Sequence, residues 1–563
     1  MPAARHLLPL LLVCSLACTP EEEPAPEPAA PDMRLPPGLL DPDELPLQVE
    51  KRCPGSPGCE DVGDGTLYAG VAIRDITPQV EPFEDRNGNR LRDADEPFED
   101  RNGNGRFDAY WIAGYGTGRL ALGVHDPVWA RALALRQNQT TVVLVSVDTL
   151  GLFLEETEEV EKLLDPALGI DLLLLHATHL HQTADLVGGW GPDPLTYGVN
   201  EHYQQRVRRA IASAVEEAVR RLRPVRVTLG SIAVQDADGD MRRYVSDTRD
   251  PVIIDNVLHT MQFSEIGPQG QVTPLATLIN WAHHPEAVGA SNHLITSDFV
   301  HYLRERVEQR GGGTVVYVSG ALGGQIGPGR VEAQDADGRI IREKGFPKAE
   351  AIGKAVAGFA LMAMADPGAR TVAGPAARLS FRTARFAAQV ANRKFHLAAM
   401  LKIYRRAYCC HDASRPIDED NLPSIETRVA YLQLGPASII TNPGELHPEL
   451  FIGGYDGSRS GTYPLIDLSK PNAADLSRAP RPPYLIDIMD GERAHRMTWG
   501  LTMDFVGYIL PRFNFVLHER RPYLEQAPGD HYEETNSLGP LAEPHIVGTM
   551  RQLILDGRPN EPR

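Results

Sequence analysis

The feature that most constrains the fold is a run of leucines ending in a histidine cluster, in the segment DLLLLHATHLHQTADLVGGWGPD at 171–193. The four consecutive leucines predict a buried strand. His176, His179 and His181 follow at the end of this strand, and a glycine-rich loop comes next. Because alternate side chains share a face in an extended segment, we expect His179 and His181 to point the same way.

Two interpretations of these histidines stay open at this point. Imidazole is the commonest metal ligand, and α/β proteins place their sites at the C-terminal ends of strands. The alternative is a pair of surface or hydrogen-bonded histidines that bind no metal. The segment by itself does not choose between the two.

The composition bounds the class of protein. The chain has 563 residues, of which 42% are hydrophobic and 23% charged, as in a globular protein with a sizeable core. This length allows two to four domains or one large α/β unit. The net charge of −19 argues against a nucleic-acid partner, whose phosphates require Lys and Arg.

The N-terminus predicts an exported, anchored protein. Residues 1–18 have a weakly basic start and an apolar run too short to span a bilayer. The sequence SLAC at 15–18 resembles a bacterial lipobox with Cys18 as the lipidated residue; the alternative is an ordinary cleaved signal peptide. Residues 19–50, rich in Pro and Glu, predict a disordered tether. We therefore expect a lipid anchor in the bacterial cell envelope, at the outer membrane or cell surface.

The rest of the chain predicts one α/β domain with a large mixed sheet, from 67 to 563. Residues 200–222 show the apolar stripe of an amphipathic helix, and 541–555 predict a closing helix. Residues 498–508 predict a last strand. Asp148 follows a predicted strand, and at that position we expect a carboxylate to belong to a functional site rather than to the hydrophobic core. No composition break indicates a second globular domain.

An acidic insert at 81–110 contains a short repeat, EPFEDRNGNRLRDAD followed by EPFEDRNGNGRFDAY. Each copy places oxygen ligands at offsets 1, 3, 5 and 9, as in an EF-hand calcium loop. Counted from Asp85 as offset 1, Glu96 stands at offset 12 of the first loop. The alternative is an acidic, solvated hairpin without an ion. The predicted calcium ligands are Asp85, Asn87, Asn89, Asp93, Glu96, Asp100, Asn102, Asn104 and Asp108.

Cysteines are sparse. Cys53 and Cys59 bracket a short Pro/Gly loop that a disulfide could close in an oxidising compartment. Cys409 and Cys410 are adjacent, and we expect them to be packed or free thiols. No CxxC zinc pattern is present.

Several motifs together resemble the neutral (alkaline, non-lysosomal) ceramidase family, from about Tyr68 to the C-terminus. They occur in the family's order, and a series of such matches is far more specific than one. The matching segments are GVHDPVWARALAL, VVLVSVDTLGL, HATHLHQTADLVGGWG, NWAHHPE, NPGEL, GLTMDFVGYILP and HYEETNSLGP.

The resemblance implies a site as well as a fold of neutral-ceramidase type. Matched motif by motif, the zinc ligands would be His179, His284, Glu445 and Tyr508; these residue types suit zinc with one open position for water. Zinc-bound hydroxide would then attack an amide carbonyl. The resemblance gives catalytic or substrate-binding roles to three further residues: His181, Tyr532 and Arg242.

The chain departs from the family at two places. Gly327 replaces a serine once proposed as a nucleophile, which leaves zinc-bound hydroxide to carry the attack. The immunoglobulin-like domain that ends the family's members is not found after the tyrosine motif. Both departures weaken ceramide as the substrate more than they weaken zinc hydrolysis.

The sequence leaves three functions open. The first is a zinc-dependent amidohydrolase of ceramide or a related N-acyl lipid. The second is the same zinc site acting on another amide or ester. The third is a non-catalytic, surface-anchored binding protein on the same scaffold, because fold alone does not determine function. The presence of all four expected zinc ligands counts against the third.

Overall fold

Two β-sheets stacked face to face organise the molecule, in a computed structural model that describes residues 47–326 and 331–558. The predicted signal peptide, Cys18, nearly all of the predicted tether and Gly327 lie outside the described residues. No helix in the described ranges is long and apolar enough to cross a membrane.

The strands are β1 (Val49–Cys53), β2 (Leu67–Asp75), β3 (Gly123–Val124), β4 (Trp129–Gln137), β5 (Thr140–Val147), β6 (Leu172–Ala177), β7 (Arg223–Ala233), β8 (Val257–Ile266), β9 (Val272–Trp281), β10 (Leu294–Ile295), β11 (Thr314–Ser319), β12 (Ala333–Gln334), β13 (Ile340–Ile341), β14 (Arg370–Ala373), β15 (Leu379–Gln389), β16 (Ser424–Leu434), β17 (Ala437–Thr441), β18 (Glu445–Leu446), β19 (Arg496–Trp499) and β20 (Tyr508–Ile509). The α-helices are α1 (Leu154–Glu161), α2 (Glu201–Arg220), α3 (Asp298–Gln309), α4 (Phe346–Ala365), α5 (Arg393–Met400), α6 (Pro448–Ile452), α7 (Leu485–Ile488) and α8 (Ala542–Leu555).

The larger sheet has nine strands, in the order β11-β9-β8-β7-β2-β4-β5-β6, with β14 also paired to β7. The smaller sheet has the order β1-β15-β16-β17-β19. Both are mixed: β5 with β6, β9 with β11 and β17 with β19 run parallel, whereas most other neighbours run antiparallel. The predicted α/β class with a large mixed sheet is confirmed, and the structure adds the second sheet.

The leucine run shows how the sequence builds the layers. Leu172 and Leu174 enter the core between the two sheets, while Leu173 and Leu175 face the other side and pack with α2. This is the period-two alternation of a strand buried on both faces. Helices α3 and α4 cover the rest of that outer side, and α8 covers the outer side of the smaller sheet.

Helix α2 confirms the predicted amphipathic segment. Asn200 caps its N-terminus by accepting a hydrogen bond from the Tyr203 backbone N–H at 3.0 Å. The apolar stripe is buried against the larger sheet and consists of Tyr203, Val207, Ile211, Val215 and Val219. The predicted closing helix is also present as α8.

Three local predictions are wrong. Residues 498–508 do not form one strand: β19 and β20 are separated by a buried turn in which Leu501 and Met503 have positive φ. The adjacent Cys409 and Cys410 are joined as a disulfide and are not free thiols, whereas the disulfide between Cys53 and Cys59 agrees with the sequence. Asp148 belongs to the core.

Asp148 lies in the core because an arginine compensates its charge there. Its carboxylate accepts hydrogen bonds from both terminal nitrogens of Arg304 in α3, at 2.7 and 2.9 Å, and from Ser297 Oγ at 3.0 Å. A buried charge persists when it is paired and hydrogen-bonded in this way. Asp148 therefore ties α3 to β5.

Candidate metal centre and active-site pocket

Both sheets contribute strand ends to one cluster of polar side chains. His179 follows β6 and His284 follows β9 in the larger sheet. Glu445 begins β18 shortly after β17 of the smaller sheet, and β18 pairs in parallel with β20 so that Glu445 lies opposite Tyr508. All four are at least 95% buried. The structure thus brings together the four residues predicted as zinc ligands.

The two histidines face the same carboxylate oxygen. Glu445 Oε2 is 3.3 Å from His179 Nε2 and 3.1 Å from His284 Nε2. Burial by itself raises the pKa of Glu445, but the neighbouring histidines outweigh it and hold that pKa well below its usual value. The ring of Tyr508 stacks 6.4 Å from that of His284, centroid to centroid.

Backbone carbonyl groups orient both imidazoles. His179 Nδ1 is 2.8 Å from Leu150 O, and His284 Nδ1 is 3.0 Å from Gln325 O. A carbonyl oxygen only accepts, so each Nδ1 carries a proton, and in the neutral form of each ring Nε2 has a lone pair on the side of Glu445. Nε2 of His179 makes no hydrogen bond among the described residues. Two imidazole nitrogens and a carboxylate oxygen that lie this close together form a donor set suited to a cation.

His179 reaches this position through its backbone. The strand β6 ends at Ala177, so the alternation expected for His179 and His181 does not apply beyond it. His179 instead has φ of +63°, in the left-handed region that a non-glycine residue seldom occupies. The two rings nevertheless lie 4.9 Å apart in one pocket. His179 and His181 thus point into the same pocket, as expected, but strand alternation is not the cause.

His181 completes a group of three histidines that could hold a metal ion. Ring nitrogens of His179, His181 and His284 lie within 4.8 Å of one another. Both ring nitrogens of His181 lack a hydrogen bond among the described residues, and its Nδ1 lies 3.6 Å from Glu286 Oε2. Burial and the adjacent His179 hold the pKa of His181 well below its usual value. His181 is therefore a neutral imidazole beside the other ligands.

Two residues that the sequence analysis missed support these histidines. Glu286 accepts a hydrogen bond from Tyr115 Oη at 2.8 Å and faces His181. Gln325 holds His284 through its backbone oxygen, and its buried side chain spans the backbones of Asp255 and Ala282. The acidic end of NWAHHPE was a signal for Glu286, whereas nothing local marked Gln325.

The other two predicted site residues have different positions. Tyr532 lines the pocket, with its ring 6.2 Å from that of Tyr508. Arg242 is exposed and pairs with Asp240 at 2.7 Å, outside the pocket lining. The structure therefore does not bring Arg242 to the site. Its two acidic neighbours, Asp238 and Asp240, keep it in a surface turn.

The cluster lies in the wall of a cavity of about 830 Å³. Polar groups surround the histidines and Glu445, while another part of the wall is mostly aromatic. The apolar lining includes Phe153, Phe395, Tyr404, Ile425, Phe505 and Leu538. Such a cavity suits a ligand with a long apolar portion and a polar group next to the metal ligands.

The acidic insert forms two equivalent loops joined by an antiparallel bridge between Phe83 and Phe98. In the first loop Glu96 accepts hydrogen bonds from the backbones of Arg86 and Asp93, at 2.8 and 2.9 Å. In the second loop Glu81 accepts the same pair of bonds, from Arg101 and Asp108, at 3.1 and 2.8 Å.

Glu81 thus occupies in the second loop the place of Glu96 in the first. Both are nearly fully buried, at 2% and 3% exposure. Glu81 was not among the predicted calcium ligands because it lies far before the second loop in the chain. The repeat contained the signal, since Glu81 and Glu96 begin the two copies of EPFEDRNGN.

Comparison with known proteins identifies the fold. No family model matches the chain, and no curated protein sequence matches it. The crystal structure of neutral ceramidase from Pseudomonas aeruginosa aligns with a TM-score of 0.57 and 14% identity, over 88% of this chain and 74% of that one. A ceramidase structure described as complexed with C2 aligns with a TM-score of 0.56 and 13% identity, over 87% and 75%. The chain has the fold of neutral ceramidase.

Proposed function

We propose that this chain is a zinc-dependent amidohydrolase that cleaves the amide bond of ceramide or a related N-acyl lipid. The observation that carries the proposal is the convergence of His179 and His284 on Glu445 in the wall of a largely apolar cavity. The sequence motifs and the shared fold support the same class of reaction.

The orientation of the histidines favours one ligand set over another. Histidines that bind a metal donate their other ring N–H to a carbonyl or carboxylate group. His179 and His284 do so through Leu150 and Gln325. His181 has no such hydrogen bond among the described residues. We therefore assign zinc to His179, His284, Glu445 and Tyr508, and leave His181 to the substrate side.

A zinc ion held there would polarise an amide carbonyl and activate a water molecule at neutral pH. In the hydrolysis the water oxygen joins the acyl carbon, the C–N bond breaks, and the nitrogen leaves as an amine after taking a proton. His181 is placed to hold or transfer that proton, since its ring faces both the cavity and Glu286. Tyr532, which lines the same cavity, would donate a hydrogen bond to the carbonyl oxygen as that oxygen gains negative charge.

The test compares metal content and turnover in His179→Ala and His284→Ala, with His293→Ala as a control at a histidine outside the pocket. We expect both site variants to lose zinc and hydrolysis together, and the control to keep them. Substrates should include N-acyl lipids and simple esters, with and without a chelator. A double variant of His179 and His284 that hydrolyses at the full rate without zinc would overturn the assignment.

We also propose that the two loops of the insert bind calcium. Support comes from the spacing of oxygen ligands at Asp85, Asn87 and Asn89 and its repetition in the second loop. The equivalent positions of Glu81 and Glu96 add one buried carboxylate to each loop. Such sites would stabilise the insert rather than take part in hydrolysis.

A further inference from the structure

One cation in the pocket wall has no anionic partner. Lys394, in the first turn of α5, lines the same cavity as His179 and Glu445. Its ammonium donates to Asn536 Oδ1 at 2.8 Å, its one hydrogen bond to a described residue. An ammonium group has three N–H donors. Two of them make no hydrogen bond to the described protein, and the ammonium lies over the Phe395 ring, 5.7 Å from its centroid.

The local structure fixes Lys394 beside Asn536. Asn392 caps α5 by accepting from the Lys394 backbone N–H at 3.0 Å. The same side chain donates to the backbone oxygens of Thr535 and Ser537, at 3.2 and 2.8 Å. A single residue thus fastens the start of α5 to both neighbours of Asn536. The hydrogen bonds of Asn392 therefore hold Lys394 in the pocket wall.

Asn536 belongs to a segment that adjoins the strand carrying Tyr508. The backbone of Ser537 pairs with that of Tyr508. Gly507 lies so close to the Asn536 backbone oxygen that a Cβ added at Gly507 would be 2.0 Å from it. The strand β20 and the segment carrying Asn536 are therefore in direct contact. An anion bound by Lys394 would therefore lie in the same cavity as the ligand cluster.

Lys394 differs from the two other cations of the pocket, since Lys344 is exposed to solvent and Arg406 has an anionic partner. Arg406 lines the same cavity and pairs with Asp504 at 2.9 Å. No described carboxylate pairs with Lys394, and burial lowers its pKa to about 8, so that it remains mostly charged at neutral pH. A desolvated charge is unfavourable unless it is paired. An anionic group of a ligand would provide the missing partner.

We propose that the pocket takes an N-acyl substrate whose amine portion carries an anionic group, a carboxylate or a phosphate, and that Lys394 and Asn536 bind this group. The inference rests on the proposed amidohydrolase function and narrows its substrate class. The acyl chain would lie along the aromatic wall, with the amide at the metal ligands. Ceramide, which has no anionic group, would be a poorer substrate than an acidic N-acyl compound.

The turnover test uses substrates that share a dodecanoyl chain and differ in the amine. N-dodecanoylglycine and N-dodecanoyl-O-phosphoethanolamine carry the two anions, and N-dodecanoylethanolamine is neutral. We expect kcat/KM to favour at least one anionic substrate by about tenfold, as for a charge-assisted hydrogen bond. Lys394→Met should bring the ratio to about one by slowing the anionic substrate. The anionic substrate with the higher kcat/KM shows whether the site prefers a carboxylate or a phosphate.

Two control variants separate binding from structure. Lys344→Met removes an exposed lysine from the same lining and should leave the ratio unchanged. Lys394→Arg should retain part of the preference because it keeps the charge. If Lys394 only supported Asn536, Lys394→Met would slow all three substrates equally. That result, or a parent enzyme without preference, would overturn the proposal.

A binding measurement keeps the inference independent of catalysis. Sulfonamide analogues of the glycine and ethanolamine substrates, in which SO₂ replaces the carbonyl, cannot be cleaved. Calorimetry on the full chain should show about tenfold tighter binding of the anionic analogue, and Lys394→Met should abolish the difference. If the protein binds the anionic analogue more tightly but hydrolyses none of the substrates, the anion site is supported and the proposed reaction is refuted. Equal binding of both analogues would refute the anion site.

Discussion

At the scale of single residues, the candidate site depends on how its histidines are held. His179 adopts a left-handed backbone, a conformation that for a non-glycine residue is unfavourable by about 1–3 kcal/mol and is seen where surrounding contacts enforce it. The hydrogen bond to Leu150 O then sets the ring. His181 differs, because a side chain rather than the backbone faces its ring. Glu286 is therefore a positioning residue whose effect can be measured.

Glu286→Gln should lower kcat by about tenfold to a hundredfold, because it weakens proton transfer by His181, and such transfer by a positioned side chain contributes about 10²–10⁴-fold. The amide keeps the size and can still accept from Tyr115, but it removes the negative charge that faces His181. We expect zinc content to stay the same and the pH profile of kcat to shift. The measurement is turnover against pH beside metal analysis.

Tyr115→Phe is the matched control for this change, since it removes the hydrogen bond that Tyr115 donates to Glu286 and keeps the carboxylate. It should affect kcat less than Glu286→Gln does. A Glu286→Gln enzyme with unchanged kcat and pH profile would rule out a role for Glu286 in positioning His181.

At the scale of elements, a buried charge network holds the segment that carries Tyr532 and Asn536. Arg249 is 97% buried and donates to Glu533 at 2.9 Å and to Glu534 at 2.7 Å. His531 Nδ1 lies 2.8 Å from the same oxygen of Glu534. Removing one partner of a buried pair leaves an uncompensated charge and is strongly destabilising. The network thus fixes one wall of the pocket.

This network predicts a pH dependence of stability. Burial raises the pKa of Glu534, but Arg249 and His531 outweigh it and lower that pKa from 4.5 to about 2. Because the folded pKa lies below the unfolded one, Glu534 stabilises the protein above pH 4.5, and this contribution is lost as the pH falls from 4.5 to 2. The shift corresponds to about 3 kcal/mol.

Glu534→Gln should therefore lower the free energy of unfolding most at pH 7, and the difference from the parent should shrink at pH 3. Urea unfolding at pH 7, 5 and 3 measures it. Glu525→Gln, at an exposed carboxylate paired with Arg521, is the control and should change little at any pH. A Glu534→Gln deficit that is equal at all three values would show that its charge is not the cause.

The insert allows a second test at this scale. If its loops bind calcium, a calcium chelator should lower the melting temperature, because a ligand that binds only the folded state stabilises it. Replacing Asp85 and Asp100 with Ala should remove this dependence. Glu81→Gln should weaken it as much as Glu96→Gln does, although Glu81 lies outside the loop it serves. Melting curves with excess calcium and with chelator measure the effect.

Glu84→Gln and Glu99→Gln are the matched controls, since these exposed glutamates pair with Arg86 and Arg101 and occupy equivalent positions in the repeat. They should leave the calcium dependence intact. A parent protein that melts at one temperature in calcium and in chelator would exclude calcium binding.

At the scale of the whole molecule, the site exists because two sheets meet. The larger sheet delivers His179 and His284 after β6 and β9, and the smaller sheet is followed by Glu445 and Tyr508. Each sheet provides half of the predicted zinc ligands, so neither has a complete site alone. A change that separates the sheets should therefore remove metal binding even where every ligand remains.

The expected lipid anchor is also a property of the whole chain. If Cys18 is lipidated, Cys18→Ala should release the protein from the membrane fraction without changing its specific activity, because Cys18 precedes the described body by a long Pro- and Glu-rich segment. Cell fractionation with an activity assay measures both. Recovery of the parent protein as an unmodified, soluble species in the medium would refute the anchor.

Local patterns in the sequence were sufficient for several parts of this protein. The leucine run specified β6, the apolar stripe specified α2, and the motifs around His179, His284, Glu445 and Tyr508 indicated residues that the structure places together. Such features depend on neighbours within a few positions, where the periods of strands and helices operate. For the same reason the acidic repeat was visible, although its first glutamate was overlooked.

The tertiary structure alone decided the remaining contacts. Asp148 pairs with Arg304 across 156 positions, Arg249 with Glu534 across 285, and Lys394 with Asn536 across 142. Arg242 stayed at the surface while Arg249 became buried, a difference that no local pattern expresses. Burial and pairing depend on which elements pack together, and that packing minimises the free energy of the whole chain rather than of any segment. The order of the residues indicated the proposed ligands, and the packing of the two sheets decided their neighbours.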